Sequence, residues 1–200
     1  MRRKLFDSLA TAFGGGLTIV LLVAGGLLMW GYSFANDNVR DQLSAQQIYF
    51  PAAGSDALKS PEIGPYLNPY AGQKLTNGAQ AKAYADHFIA VHLTEVADGK
   101  TYAQVSTAAQ ADPKNTTLQA QANTLFKGEA LRAMLLQAYA FWKIGQIALY
   151  AGIASFILAG FMLLLTAFGV VHARRVDPEA ELAPAPSKKT ATTTLKAATV

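Results

Sequence analysis

The chain has no cysteine, which removes disulfide frameworks, thiol nucleophiles and thiolate metal sites at once. It also lacks a Gly-x-Ser-x-Gly elbow, a Walker loop, a dinucleotide fingerprint and a His-Glu-x-x-His pair. Histidine is scarce. Of the three present, only His87 and His92 lie in the central region, five residues apart. On a helix that spacing turns the second imidazole about 140° off the first face, whereas shared metal ligands favour separations of three or four. A site with Asp86 or Glu95 would need ligands from elsewhere, so no catalytic, cofactor-binding or metal residue is assigned and no cofactor is expected. The Gly14-Gly15-Gly16 triplet lies inside an apolar run and is not a phosphate loop.

Charge is missing from two long stretches, Ser8–Asn36 (29 residues) and Ile144–Val171 (28 residues), while the 107 residues between them are rich in it. As helices these stretches extend about 42 Å, enough to cross a hydrocarbon core of about 30 Å with length to spare for tilt. We expect an all-α membrane protein, a two-span transmembrane hairpin with a mainly helical extracytoplasmic domain. The expected boundaries are a cytoplasmic N-terminus at 1–8, a first span at 9–35, an outer domain at 36–142, a second span at 143–171 and a disordered cytoplasmic tail at 172–200. Within the spans the absence of ionisable groups argues against a proton relay, voltage sensor or charged ion pathway.

The formal net charge of +4 resolves into +2 at each end and zero between them. Arg2, Arg3 and Lys4 outweigh Asp7, and Arg174 and Arg175 directly follow the second apolar run. Lys and Arg beside a span hold that side in the cytoplasm, so both termini should be cytoplasmic and the middle extracytoplasmic, in the plasma membrane. Tryptophan and tyrosine prefer the headgroup level, and Trp30, Tyr32, Trp142 and Lys143 mark one interface, with Arg174 and Arg175 at the other. A signal peptide competes for the first segment, since Ser33-Phe34-Ala35 resembles a cleavage site. Its apolar stretch is nearly twice the upper length of about 15 residues for a signal core, which favours a retained anchor.

Small residues recur along both spans: Gly25 and Gly26 in the first, and Ala148, Gly152 and Gly160 in the second. Such residues let transmembrane helices approach, either each other or a partner. Between the spans, Asn36–Ile48 continues the first helix outward, and a Pro/Gly-rich loop at 49–78 carries Tyr49, Phe50, Tyr66 and Tyr70 as aromatic anchors. Helicity resumes near Asn77 or Gly78, and Gly99 stops it. Thr101 can cap a shorter helix, and Asn115 or Thr116 can cap a long one that runs on into the second span. Beyond Arg175 the composition is that of a disordered tail, and Thr192, Thr193 and Thr194 read as solvated linker.

The opening MRRK with its Gly-rich span, the loop IYFPAAGSDALKSPEI, and the runs QAKAYADHFIAVHLTEVADGKTYAQVS and TLFKGEALRAMLLQAYAFWKIGQIALYAGI are similar to a family of actinobacterial two-span membrane proteins. Those proteins are often labelled aromatic-ring-opening dioxygenases, and the likeness covers roughly residues 1–175. The label implies an iron site of two histidines and a carboxylate, for which this chain offers no convincing set. The resemblance therefore implies topology and an actinobacterial cell membrane, and no catalytic residues. The expected function is a non-catalytic accessory or scaffold subunit, whose partners are the lipid bilayer and other membrane subunits or itself, with no nucleic acid. The alternative is an extracytoplasmic ligand-binding or sensing domain with Tyr49, Phe50, Tyr66 and Tyr70 around a pocket.

Overall fold

A computed structural model describes residues 3–177. Among these the chain is all-helical, and two helices dominate it. Helix α1 spans Arg3–Ala45 and helix α7 spans Thr116–Arg175, 43 and 60 residues without a proline. Each contains a stretch apolar and long enough to cross a membrane. The start of α7 is set locally, because Asn115 Oδ1 accepts a hydrogen bond from the Leu118 amide at 3.1 Å. His172, Arg174 and Arg175 occupy its last turn, where the helix dipole favours positive charge. The tail positions from Pro178 onward, including Thr192, Thr193 and Thr194, lie outside the described residues, as does Arg2.

Between the long helices, prolines keep the elements short. Helix α2 (Asp56–Lys59), helix α3 (Gly64–Leu67) and a 3₁₀ turn (Asn68–Tyr70) are single turns, the last two with Pro65 and Pro69 in their first turns. The loop is pinned to itself through an isolated antiparallel bridge between Tyr49 and Lys74, flanked by Phe50 N–Gln73 O and Leu75 N–Ile48 O bonds of 2.9 Å. Helix α4 (Gly78–Tyr84) begins where Asn77 accepts from the Gln80 amide. It passes through a π-helical stretch, Ala85–Ile89, into helix α5 (Ala90–Val96). Asp98 and Gly99 then adopt left-handed φ values of 50° and 75°, which ends the helix. Helix α6 (Tyr102–Ala111) opens with a reciprocal capping box between Thr101 and Gln104.

The chain divides into two compact units, Met1–Val23 with Ser155–Val200, and Ala24–Ala154. The second unit holds the hydrophobic core. Leu67, Leu75, Leu125 and Leu135 are fully buried there, with Val39, Leu43, Phe50 and Leu93 around them. Two glycines permit close approach. A Cβ on Gly78 would lie 2.5 Å from Trp142 Cβ, and one on Gly128 would lie 2.3 Å from Leu93 Cδ2.

In the first unit the two helices meet through small and hydroxylated residues. Ser155 Oγ donates to Leu21 O at 2.9 Å, and Thr18, Ser155 and Ala159 are buried. A Cβ on Gly14 would come within 2.7 Å of Thr166 Oγ1, and one on Gly169 within 2.8 Å of Thr11 Oγ1. On α7 the buried or half-buried positions Ser155, Ala159, Met162, Thr166 and Gly169 recur every three or four residues, the spacing of a left-handed helix pair.

Candidate functional site

The polar and aromatic residues of the second unit pair off instead of converging. Tyr66 and His87 stack face to face, with ring centroids 3.4 Å apart and planes 5° from parallel. His92 directs Nδ1 to Phe88 O at 2.6 Å and lies against the Phe88 ring. The two imidazoles thus have separate partners. Asp86 is held by Lys82 and by Arg132, whose Nη2 lies 3.5 Å away, and Arg132 also reaches Glu129 at 3.5 Å. Burial alone would raise the Asp86 carboxyl; the Lys82 hydrogen bond and charge, joined by Arg132, outweigh it and hold the group below its ordinary value. Among the described residues no group of three or more His, Asp or Glu could hold a metal ion.

The loop aromatics separate in the same way. Phe50 is buried against Tyr70 and Tyr84, at 5.2 and 5.4 Å, and Tyr84 packs on Phe88 at 4.7 Å. Burial also pushes the Tyr84 hydroxyl up from its ordinary value. Tyr49 and Tyr66 remain exposed. The space under the loop is therefore filled by rings, and the four aromatic residues of the loop do not share a cavity wall.

A groove of about 540 Å³ does form, between residues 38–46, the end of α1 and the turn after it, and Met134–Ile144 of α7. Its floor is apolar, made by buried Val39 and Leu43 with half-buried Ala138. One rim carries amides: Asn38 and Gln42, which four-residue spacing places on one face of α1, and Gln46 in the turn that follows it. The opposite rim carries Met134, Phe141 and Ile144, which are 62%, 39% and 61% exposed, with Gln137 among them. No charged residue lines it, although its unit carries nine acids and nine bases.

The residues singled out from sequence fall into distinct settings. Trp30 is exposed and stacks on Phe34 at 5.7 Å, and Phe34 meets Phe141 edge-on at 6.4 Å. Tyr32 is half-buried and Lys143 exposed. Trp142 is half-buried, packs against the core and covers Gly78. Arg174 and Arg175 are exposed at the end of α7. Among the small residues, Gly152 meets Leu28 and the Gly25 carbonyl, at 3.3 and 3.4 Å from an added Cβ, and Ala148 is half-buried. Gly26 and Gly160 have nothing within 4 Å of such a Cβ, so their small-residue faces are open. The groove amides escaped notice in the sequence, although their four-residue repeat and the three- and seven-residue spacing of Met134, Gln137, Phe141 and Ile144 are visible there.

No family model, curated protein or solved structure matches the chain.

Proposed function

We propose that this protein is a two-span integral membrane protein of the plasma membrane, a non-catalytic accessory or scaffold subunit that assembles with other membrane subunits or with itself. The hairpin crosses the bilayer at 9–35 and 143–171, both termini are cytoplasmic, and 36–142 forms an extracytoplasmic helical domain. The resemblance to actinobacterial two-span proteins agrees with this reading, without the dioxygenase activity.

The observation that carries the proposal is the exposure of the apolar stretches. Only 17% and 11% of the residues in the most apolar parts of α1 and α7 are buried. Core helices of soluble proteins are mostly buried, and these are not. Eleven large hydrophobic side chains from Leu5 to Phe34 and thirteen from Ile144 to Val171 are exposed. Burying such a side chain contributes roughly 1.5–3 kcal/mol, so leaving half of that unrealised at two dozen positions amounts to about 20–35 kcal/mol. Transfer of this surface from water into a hydrocarbon layer recovers that free energy, so the exposed apolar stretches favour a bilayer over water. Orientation follows from the zero net charge of 37–143 against +2 at each end.

Assembly is supported by the uncharged groove and by the open faces at Gly26 and Gly160. The test is extraction of cell membranes with alkaline carbonate, followed by native mass determination in mild detergent. Retention in the membrane pellet and a particle heavier than the 21.3 kDa chain are expected. Release by carbonate would overturn the membrane reading, and a lone monomer without partners would overturn the assembly reading.

A further inference from the structure

We infer that Lys4 and Arg175 form a two-pronged seat for the headgroup phosphate of an anionic phospholipid, at the end of the hairpin where α1 begins and α7 stops. The inference deepens the proposed function and rests on its membrane anchoring. It begins with the register of the two helices in the first unit. Gly14 faces Thr166, Thr11 faces Gly169, and Asp7 Oδ2 lies 3.9 Å from His172 Nε2. Each step of three residues forward along α7 is matched by three or four residues backward along α1. One further step brings Lys4 opposite Arg175, because each lies three residues beyond its own member of the Asp7–His172 contact and on the same helical face.

Two cations across a seam repel, and no acid pairs with them. Neither Lys4 nor Arg175 joins an ion pair among the described residues, and both are exposed. Asp7, the acid on this face, is turned inward, with its side chain 17% exposed and its Oδ2 buried without a hydrogen bond. The first turn of α1 adds Arg3 and holds no acid, so its orphan amides and its side chains present the same sign. Arg174 adjoins on α7, and four bases against Asp7 and Asp177 leave this end positive. An anion completes it. Phosphate chemistry alone would admit a free ion, but the surface beside the cations selects a lipid. Phe168, Val171 and Arg175 lie on one stripe of α7 at spacings of three and four, and the two apolar members are 71% and 47% exposed. A cation at the end of such a stripe matches a molecule with a phosphate at one end and acyl chains at the other.

The test mixes the full-length chain, purified in mild detergent, with equal amounts of phosphatidylglycerol and phosphatidylcholine of matched acyl chains, and counts bound lipid by native mass spectrometry. Phosphatidylglycerol should be bound about tenfold over phosphatidylcholine, and Lys4→Gln with Arg175→Gln should bring that preference down to about twofold. Arg40→Gln with Lys143→Gln, an equal loss of charge from exposed positions outside the seat, should leave the preference unchanged. Arg3→Gln with Arg174→Gln should lower it less than the Lys4 and Arg175 pair does, and inorganic phosphate in large excess should not displace the lipid. Circular dichroism should show unchanged helix content in every variant. Equal binding of the two lipids, a preference insensitive to the Lys4 and Arg175 changes, an equal loss in either of the other pairs, or displacement by inorganic phosphate would each overturn the inference. Carbonate extraction of membranes holding the same chain reports insertion separately. Retained insertion without a lipid preference counts against the seat alone, and release by carbonate counts against the membrane reading.

Discussion

Gly128 sits within α7 where a Cβ would come 2.3, 3.0 and 3.1 Å from Leu93 Cδ2, Cδ1 and Cγ. In an exposed helix interior, Gly→Ala stabilises by about 1 kcal/mol. Here the added methyl overpacks a buried leucine, which costs about 1–3 kcal/mol. Gly128→Ala should therefore be destabilising by about 0–2 kcal/mol, the opposite sign from propensity. The cause can be isolated, because all three clashing atoms belong to the part of Leu93 that alanine lacks. Leu93→Ala alone should cost about 2–5 kcal/mol through its cavity. In the double variant the methyl introduced by Gly128→Ala meets no obstacle and occupies part of that cavity, so the pair should be less destabilised than the sum by about 1–3 kcal/mol. The assay is reversible unfolding of the full chain in mild detergent, followed by far-UV circular dichroism for the four members of the cycle. Additive effects, or a Gly128→Ala variant stabilised by the full helix-propensity gain, would refute the reasoning.

Gly78→Ala should be the harsher substitution, since its obstacle is Trp142 Cβ at 2.5 Å, an atom that cannot swing aside, and Trp142→Ala should not rescue it in the same unfolding assay. Thr101→Ala removes half of a capping box and should cost about 0.5–2 kcal/mol, read as a lower unfolding midpoint. The Asp86 carboxyl is lowered in the folded state, so its contribution is present above the ordinary carboxylate range and is lost as pH falls through the folded value. Asp86→Asn should accordingly lower stability at neutral pH by under about 1 kcal/mol, and the difference from the native chain should vanish in acid. Ser155→Ala deletes the bond to Leu21 O and should weaken the helix pair by about 0.6–2 kcal/mol in a detergent unfolding titration, a modest loss because in a separated helix the hydroxyl can bond its own i−4 carbonyl.

Local signals carried much of the fold. Asn77, Thr101 and Asn115 each cap the helix that their position before an apolar repeat announces, and Gly99 ends α5 with the left-handed φ that glycine tolerates. The cap at Asn115, the apolar repeat after it and the absence of proline from 114 to 177 together announce α7 as one helix. Long-range pairings left no such mark. Nothing near Gly78 in the chain shows that Trp142 will cover it, and nothing near His87 shows that Tyr66 will stack on it. The π-helical stretch at Ala85–Ile89 likewise has no residue that demands it. The groove was half legible. Its amide and apolar repeats are periodic, but which helical faces stay open depends on how α1 and α7 pack, and burial of Val39 and Leu43 is what turns two stripes into a channel.

The central claim is that the two apolar stretches cross a membrane and place the middle of the chain outside the cytoplasm. The most direct measurement is labelling of single-cysteine variants in intact cells with a membrane-impermeant maleimide, for which the cysteine-free chain is a clean background. Gln110→Cys should label in intact cells, and Ser187→Cys should label only after the cells are permeabilised. Labelling of Ser187→Cys in intact cells, or protection of Gln110→Cys until permeabilisation, would contradict the account.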